Sequence, residues 1–185
     1  MDRQAAAQAI DAFLRALGRD PAHEPELAGT GERVARAWAE ELLSGYAVDV
    51  DHLLARNVLR GTSDLVAVRD LPVATVCPHH LTPSLGEATV AFAPDEHLVG
   101  LGAVAQLVDA FARRLALQEQ IGQNVVATLA RHVSPRWCAC RIVLRHGCMI
   151  ARGERSHGAR VETVAVIAAA GTDRTLAHQV LGVGR

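Results

Sequence analysis

The sequence predicts an α+β domain in which helices come first and then interrupt an antiparallel sheet. The chain has 185 residues, enough for one domain with a real core. Half of its residues are hydrophobic and only 3% are aromatic, so the core must be aliphatic. Helical spacing dominates residues 1–50, and β-branched, partly alternating segments begin near residue 64. We therefore divide the chain into an N-terminal helical region, 1–50, and a catalytic domain, 51–185, that form one functional unit.

Two helices are predicted in the N-terminal region. Residues 4–18 are rich in Ala and Leu at helical spacing, and Gly18 closes the segment. After a connector punctuated by prolines, Thr30 is in position to cap a second helix. The apolar pattern of that helix continues until Ser44 and Gly45.

The rest of the chain predicts the order β-β-α-α-β-β. The first strand, "DLVAVRDLPVATV", is expected to be interrupted near Pro72, and the second, "GEATVAFAP", to end at Pro94. Residues 102–132 show two helical patterns, and the last two strands are "WCACRIVLRHGCMI" and "ARVETVAVIAAA". The tail after Gly171 carries no strong signal. Helices on one face of such a sheet leave a bare face and open edges, which assembly into a barrel would close.

Charge and hydropathy exclude several classes of function. A formal net charge of −1 argues against a nucleic-acid surface and against a polybasic membrane anchor. No apolar run reaches 18 residues, and the amphipathic N-terminus resembles neither a signal peptide nor a membrane span. We expect a cytosolic protein, in which disulfides between its four cysteines are disfavoured.

The spacing of cysteine and histidine predicts a zinc site. Cys77 and His80 lie three residues apart around Pro78, and Cys148 follows in "RHGCMIARG". Cys₂His is a ligand set that suits a catalytic zinc with one open position for water. The main alternative is a structural Cys₂His₂ site in which His79 or His146 supplies a fourth ligand.

The other two cysteines lead to a different prediction. Cys138 and Cys140 alternate on a strand and share one of its faces. We expect them to be buried small hydrophobes rather than metal ligands.

Three motifs give the chain a family resemblance that covers about residues 25–167. The stretches "VRDLPVATVCPHHLTPSLGEATVAFAPDEHLVGL", "RRLALQEQIGQNV" and "HGCMIARG" resemble the GTP cyclohydrolase I family in order and spacing. "TGERVARAWAEELLSGY" is similar to the family's helix before the sheet. The resemblance implies a T-fold, an antiparallel sheet with two helices on one face whose subunits join into barrels. It also implies a homo-oligomer, a decamer of two five-membered rings with active sites between neighbouring subunits.

The resemblance also implies roles for individual residues. Cys77, His80 and Cys148 match the zinc ligands, and His79 and His146 match the two catalytic histidines. The remaining matches concern the substrate: Gln118 and Glu119 at the guanine pocket, Arg152 and Arg33 facing the phosphates, with Arg155 and Arg160 as further candidates for phosphate contacts.

Several positions depart from the family pattern. Gly102, Ala103 and Gln106 stand where the family has a serine, a lysine and an arginine that hold the triphosphate. The chain contains no lysine at all, but a simple preference for arginine codons would have placed arginine, not alanine, at position 103. Further departures are Gly31 in place of a proline and, in place of a serine and alternating threonines, the run Ala159, Arg160, Val161 and Glu162.

These observations predict a zinc-dependent hydrolase that opens the imidazole ring of a guanine-type purine at C8. Zinc would activate water, and a histidine with a pKa near 6.5 can protonate N7 and take the proton back. The altered phosphate site predicts a base, nucleoside or monophosphate as substrate, and a ring-opened pyrimidine as product. One alternative is a true GTP cyclohydrolase I with a rewired phosphate site, producing a dihydropterin and formate. Another is a non-catalytic, zinc-stabilised oligomer that binds a ligand.

Overall fold

The computed structural model describes residues 1–152, 155–170 and 175–182 of the chain. These residues form two compact units, Met1–Ser44 and Gly45–Arg185. This boundary, after Ser44, divides the chain by how its residues pack. The functional division at residue 50 stays a prediction.

The N-terminal unit contains the two predicted helices. Helix α1 spans Arg3–Ala16 and α2 spans Thr30–Ala37, and α2 continues as a wider π turn over Trp38–Leu42. The prediction that Thr30 caps α2 was wrong, because Gly29 is the N-cap and Thr30 is the first helical residue. Gly29 takes a left-handed conformation (φ +71°) that glycine adopts without strain.

Gly31 lets the two N-terminal helices pack closely. A Cβ at this position would lie 2.5 Å from the carbonyl oxygen of Ala7 in α1, and the Gly31 N–H donates to Asp11 at 3.2 Å. A proline would lose that hydrogen bond and clash with α1. The departure from the family's proline therefore matches the packing of this unit.

The second unit has the predicted order β-β-α-α-β-β, with additional short elements before, between and after. Its sheet is antiparallel throughout, with the strand order β2-β3-β5-β6, and β1 and β4 form a separate two-stranded sheet. The elements are α3 (Val50–Ala55), β1 (Val58–Arg60), β2 (Val66–Val76), β3 (Pro83–Ala93), β4 (His97–Val99), α4 (Leu101–Ala112), α5 (Gln118–Val133), β5 (Trp137–His146), α6 (Gly147–Ile150), β6 (Val161–Ala168) and α7 (Thr175–Leu181).

Strand β2 is interrupted near Pro72, as predicted, and the break lies just before the proline. The register with β3 shifts between Val68 and Leu71, where Asp70 has a positive φ of 55°. Pro72 itself stays in register opposite Glu87. β2 lies at the edge of the sheet, where proline is better tolerated than in a central strand.

Helices α4 and α5 pack on one face of the sheet, as predicted. Alternate residues of β3 and β5 enter this core, among them Phe92, Ile142 and Leu144, which have no exposed surface. The facing side chains of α4 and α5 are aliphatic, with Phe111 the one aromatic residue among them. The core is therefore aliphatic, as the composition indicated.

The opposite face of the sheet is partly covered by α7, which the sequence did not predict. Ala177 and Leu181 of α7 pack against Ala91, Trp137 and Ala139. The short helix is also tied to β2, because Arg69 donates to the carbonyl of Val180 at 2.9 Å. None of the helices in the described ranges is long and apolar enough to cross a membrane.

Candidate metal centre and active site

The first half of the site is the tight connection between β2 and β3. The Leu81 N–H donates to the carbonyl of Cys77 at 2.9 Å, and the Cys77 N–H donates to the carbonyl of Thr82 at 3.0 Å. Leu81 has a positive φ of 52°. This closed turn places Cys77 and His80 on one side, with the Cys77 Sγ 3.7 Å from the His80 Nδ1.

The second half is the short helix α6, which begins where β5 ends. His146 pairs with Ser84 of β3 in the sheet, so the residues after His146 reach the β2–β3 connection. Gly147 makes this approach possible, because a Cβ there would lie 2.6 Å from the carbonyl oxygen of Pro83. Cys148 follows immediately, beside the turn that carries Cys77.

The structure brings the three predicted ligands together. The Sγ atoms of Cys77 and Cys148 and a ring nitrogen of His80 all lie within 4.8 Å of one another. In a tetrahedral zinc site the bond lengths require neighbouring ligand atoms about 3.6 Å apart, so the residues fit this ion. Within the described part of the chain, no fourth Cys, His, Asp or Glu joins this group.

His146 lies next to this centre in a defined hydrogen-bond network. Its Nδ1 is 3.1 Å from the hydroxyl of Ser84, and its Nε2 is 2.8 Å from the Oε1 of Gln118. Burial lowers the pKa of His146, and the nearby charge of Glu119 opposes this shift. The sequence did not predict Ser84 as part of the site, since only the register of β3 with β5 places it beside His146.

The start of α5 is fixed to the same end of the sheet. Val76 of β2 forms a bridge with Leu115 in the α4–α5 connection, and the Thr75 hydroxyl donates to the carbonyl of Arg114 at 3.4 Å. These contacts bring Gln118 and Glu119, the first residues of α5, to the metal centre.

A pocket of about 220 Å³ joins these groups. His79 and Glu119, both exposed side chains, contribute to its wall together with the three candidate ligands. The His79 and His80 rings meet edge to face, with their centroids 6.2 Å apart. The pocket therefore holds two histidines outside the candidate ligand group, His79 and His146, and the carboxylate of Glu119.

The four predicted arginines lie elsewhere in the described residues. Arg152, Arg155 and Arg160 are exposed on the β5–β6 connection and do not line this pocket. Arg160 instead lines a separate pocket of about 180 Å³ with Glu87 and Arg145. Arg33 belongs to the N-terminal unit, where its guanidinium donates to the Ala28 carbonyl and the Thr30 hydroxyl.

The structure shows where the residues that depart from the family pattern lie and what they contact. Ala103 is a buried core residue of α4, while Gly102 and Gln106 face solvent. Glu162 lies on the sheet face opposite α4 and α5 and accepts two hydrogen bonds from Arg141, at 2.8 and 2.9 Å. That pairing raises the pKa of Arg141 and lowers the pKa of Glu162.

Cys138 and Cys140 are buried, as predicted. Both have no exposed surface, and burial raises the pKa of each thiol to about 12. They belong to the hydrophobic core rather than to the metal centre.

Fold and site together define a class of protein: an α+β chain with a candidate Cys₂His metal centre and two further histidines in one pocket. The family model described as GTP cyclohydrolase I matches residues 6–184. The chain therefore belongs to the GTP cyclohydrolase I family, and this membership supports a cyclohydrolase activity.

Three relatives illustrate the similarity, and all are named GTP cyclohydrolase 1. The protein of Nitrosospira multiformis is 39% identical over 84% of this chain and 81% of its own length. The protein of Allorhizobium ampelinum is 37% identical over 87% of this chain and 80% of its own. The protein of Leptospira biflexa is 31% identical over 95% of this chain and 96% of its own.

One solved structure shows a partial likeness. The alignment with archaeosine synthase QueF-Like, in its apo form, covers 59% of this chain and 98% of that protein, with 18% sequence identity and a TM-score of 0.47. A likeness at this level is too weak to bear on function.

Proposed function

We propose that the chain is a zinc-dependent cyclohydrolase that opens the five-membered ring of a guanine-type purine at C8. The observation that carries this proposal is the grouping of Cys77, His80 and Cys148 within 4.8 Å, beside His79 and His146 in one pocket. When bound there, zinc would lower the pKa of a water molecule and supply the nucleophile.

The side chains around the centre suit the proton transfers of this reaction. Ring opening needs a proton at N7 of the base, and an imidazole can give and take that proton near neutral pH. His146 is the candidate donor, and one of its ring nitrogens would exchange its partner in the chain, Ser84 or Gln118, for N7 when the substrate binds. His79 is the candidate shuttle during loss of formate. The Glu119 carboxylate is exposed at the pocket and can accept the N1–H and exocyclic amine of guanine in two charge-assisted hydrogen bonds.

The proposed substrate carries fewer phosphates than GTP: a base, nucleoside or monophosphate. No arginine among the described residues lines the pocket, and the lysine position of the family is the buried Ala103. Each charge-assisted contact is worth about 1.5–3 kcal/mol, so losing the two cations alone would weaken triphosphate binding by about 3–6 kcal/mol. That is a loss of affinity of about a hundredfold or more. Without the family's serine, the product is a ring-opened pyrimidine rather than a dihydropterin.

A second candidate is a true GTP cyclohydrolase I that forms a dihydropterin and formate. It is favoured by the names of the relatives, and it requires arginines such as Arg33, Arg152, Arg155 or Arg160 to replace the phosphate clamp. A non-catalytic, zinc-stabilised binding protein is the third candidate. The two unligated histidines weigh against it, because a structural zinc does not need them.

The active form is proposed to be a homo-oligomer, a decamer of two pentameric rings. Strands β2 and β6 each pair on one side only within the described sheet, which suits barrel closure by neighbouring subunits. The cytosolic location stays a prediction from the sequence.

A substrate panel tests the proposal. Zinc-loaded protein would be incubated with GTP, GMP, guanosine, guanine and oxidised purines, with formate release and ultraviolet spectra followed over time. We expect formate from a substrate with one phosphate or none, and a ring-opened pyrimidine spectrum. Faster turnover of GTP to a pterin would reject the substrate proposal in favour of the second candidate.

Two variants are tested on the same substrate panel. His146→Gln should abolish formate release while zinc content stays unchanged. The matched control is His178→Gln, an exposed histidine of α7, which should leave formate release unchanged. No turnover of any compound by zinc-loaded protein, with four protein ligands on the zinc, would favour the third candidate.

A further inference from the structure

All of the hydrogen-bonding capacity of the Gln118 amide nitrogen is used inside the chain. Gln118 is only 3% exposed, and its Nε2 donates to the carbonyls of Ile142 at 2.9 Å and Val161 at 3.0 Å. A carbonyl oxygen can only accept a hydrogen bond, so the amide nitrogen must face these two oxygens. This fixes the orientation of the amide, which is otherwise ambiguous.

The fixed amide determines where His146 carries its proton. Because Nε2 of Gln118 faces the sheet, its Oε1 is the atom that lies 2.8 Å from the Nε2 of His146. An amide oxygen has no hydrogen to give, so the imidazole Nε2 must be the donor. In the neutral ring the Nδ1 is then an acceptor, and the Ser84 hydroxyl, 3.1 Å away, can donate to it.

We infer that Gln118 is a positioning residue that holds His146 in one orientation and as the Nε2–H tautomer. The sequence placed Gln118 with Glu119 as a pair that reads the base. In the structure the polar atoms of Gln118 already have partners in β5, β6 and His146, whereas Glu119 is exposed at the pocket. We therefore assign hydrogen bonding to the guanine base to Glu119. The catalytic part of this inference rests on the proposed function.

The position of Gln118 also couples the ring to the fold. Its two acceptors belong to neighbouring strands, since Ile142 lies in β5 and Val161 begins β6. One side chain at the start of α5 therefore fixes the helix, both strands and the imidazole together. Replacing it with an apolar residue would release the ring and leave two backbone carbonyls without this donor.

Nitrogen NMR of protein labelled with ¹⁵N-histidine tests the tautomer directly and needs no substrate. Protonated and unprotonated ring nitrogens resonate far apart, and the spectrum of His146→Gln assigns the His146 signals. We expect a single Nε2–H tautomer in the wild type and a mixture of tautomers in Gln118→Met. An unchanged near-ultraviolet circular dichroism spectrum of Gln118→Met guards against a general folding defect in that variant.

The control is Gln123→Met, an exposed glutamine of the same helix, which should leave the His146 signals unchanged. An Nδ1–H tautomer in the wild type would overturn the inference. So would a single Nε2–H tautomer that persists in Gln118→Met.

Kinetics with the best substrate of the panel separate positioning from base recognition. Gln118→Met should lower kcat by about tenfold to a hundredfold, as expected for partners that orient a functional histidine, while KM changes less than about threefold. Glu119→Gln should instead raise KM and weaken the preference for guanine over hypoxanthine compounds. A KM effect of Gln118→Met as large as that of Glu119→Gln would assign Gln118 to base recognition. If no compound is turned over, the proposed function fails, and the NMR result alone decides the inference about Gln118.

Discussion

At the scale of single residues, the four cysteines form two chemically distinct pairs. Cys77 and Cys148 are partly exposed at the candidate metal centre, and Cys138 and Cys140 are buried in the core with thiol pKa values near 12. The reactive form of cysteine is the thiolate, which burial disfavours. Exposure and metal binding should therefore control the reactivity of the first pair only.

Counting thiols with a chromogenic disulfide reagent at pH 8 measures this difference. Native, metal-free protein should react rapidly at two thiols, zinc-loaded protein at none, and denatured protein at all four. The variant Cys148→Ala should lose one rapid thiol, while Cys138→Ala should keep both. Rapid reaction of four thiols in the native protein would contradict the assigned burial.

The sequence predicted which candidate ligands and pocket residues would come together, but not the contacts of His146. Cys77, His80 and Cys148 are recognisable because thiolate and imidazole at short spacing are what zinc prefers. The contacts of Ser84 and Gln118 with His146 depend on the register of β3 with β5 and on where α5 begins. Neither can be derived from local spacing, because they are set by pairing between segments far apart in the chain.

At the scale of elements, the position of α6 depends on a glycine. The Gly147→Ala substitution would bring a Cβ within 2.6 Å of the Pro83 carbonyl oxygen, so α6 and Cys148 would have to move. We expect zinc affinity to fall by at least about tenfold and the melting temperature of the zinc-loaded protein to drop.

Competition with a chromogenic chelator measures that affinity. The matched control is Gly158→Ala, since a Cβ there has no atom within 4 Å. Equal zinc affinities for the two alanine variants would show that α6 does not need this close approach.

The pairing of β5 with β6 gives a prediction about pH. The Arg141 guanidinium lowers the pKa of Glu162, so their interaction stabilises the folded state above the ordinary glutamate pKa of 4.5 and is lost as pH falls through the lowered value. Both side chains are partly exposed, so the contribution is about 0.2–1 kcal/mol. Glu162→Gln should therefore be slightly less stable than the wild type at pH 7.

Urea unfolding at pH 7 and at pH 3 measures this difference. The difference in stability between the two proteins should shrink from pH 7 to pH 3. A difference that persists undiminished at pH 3 would mean that the effect of Glu162 is not that of an ion pair.

The elements that the sequence predicted are those with a strong repeating pattern. Strands β2, β3, β5 and β6 and helices α4 and α5 were all expected, with ends that differ by a few residues. Helix α7 was not expected, because a short helix is stabilised by packing, here against Ala91 and Trp137, more than by its own sequence. The break in β2 was expected near Pro72 because proline is a general breaker. It lies just before that residue, and the edge position of β2 tolerates the proline itself.

At the scale of the whole molecule, the open sheet edges lead to a prediction about mass. Sedimentation equilibrium should give a particle about ten times the 19.7 kDa mass of the chain. A monomer at micromolar concentration in the wild type would contradict barrel assembly.

The central claim is that two sulfurs and one imidazole hold zinc and leave one position open beside two free histidines. X-ray absorption spectroscopy at the zinc edge, on zinc-loaded protein at pH 7.5, tests this most directly. We predict a first shell of two sulfur and two nitrogen or oxygen atoms in which a single imidazole contributes, unchanged in His79→Gln and in His146→Gln. A shell with two imidazoles, one of which is lost in either variant, would contradict the open site and make the zinc structural.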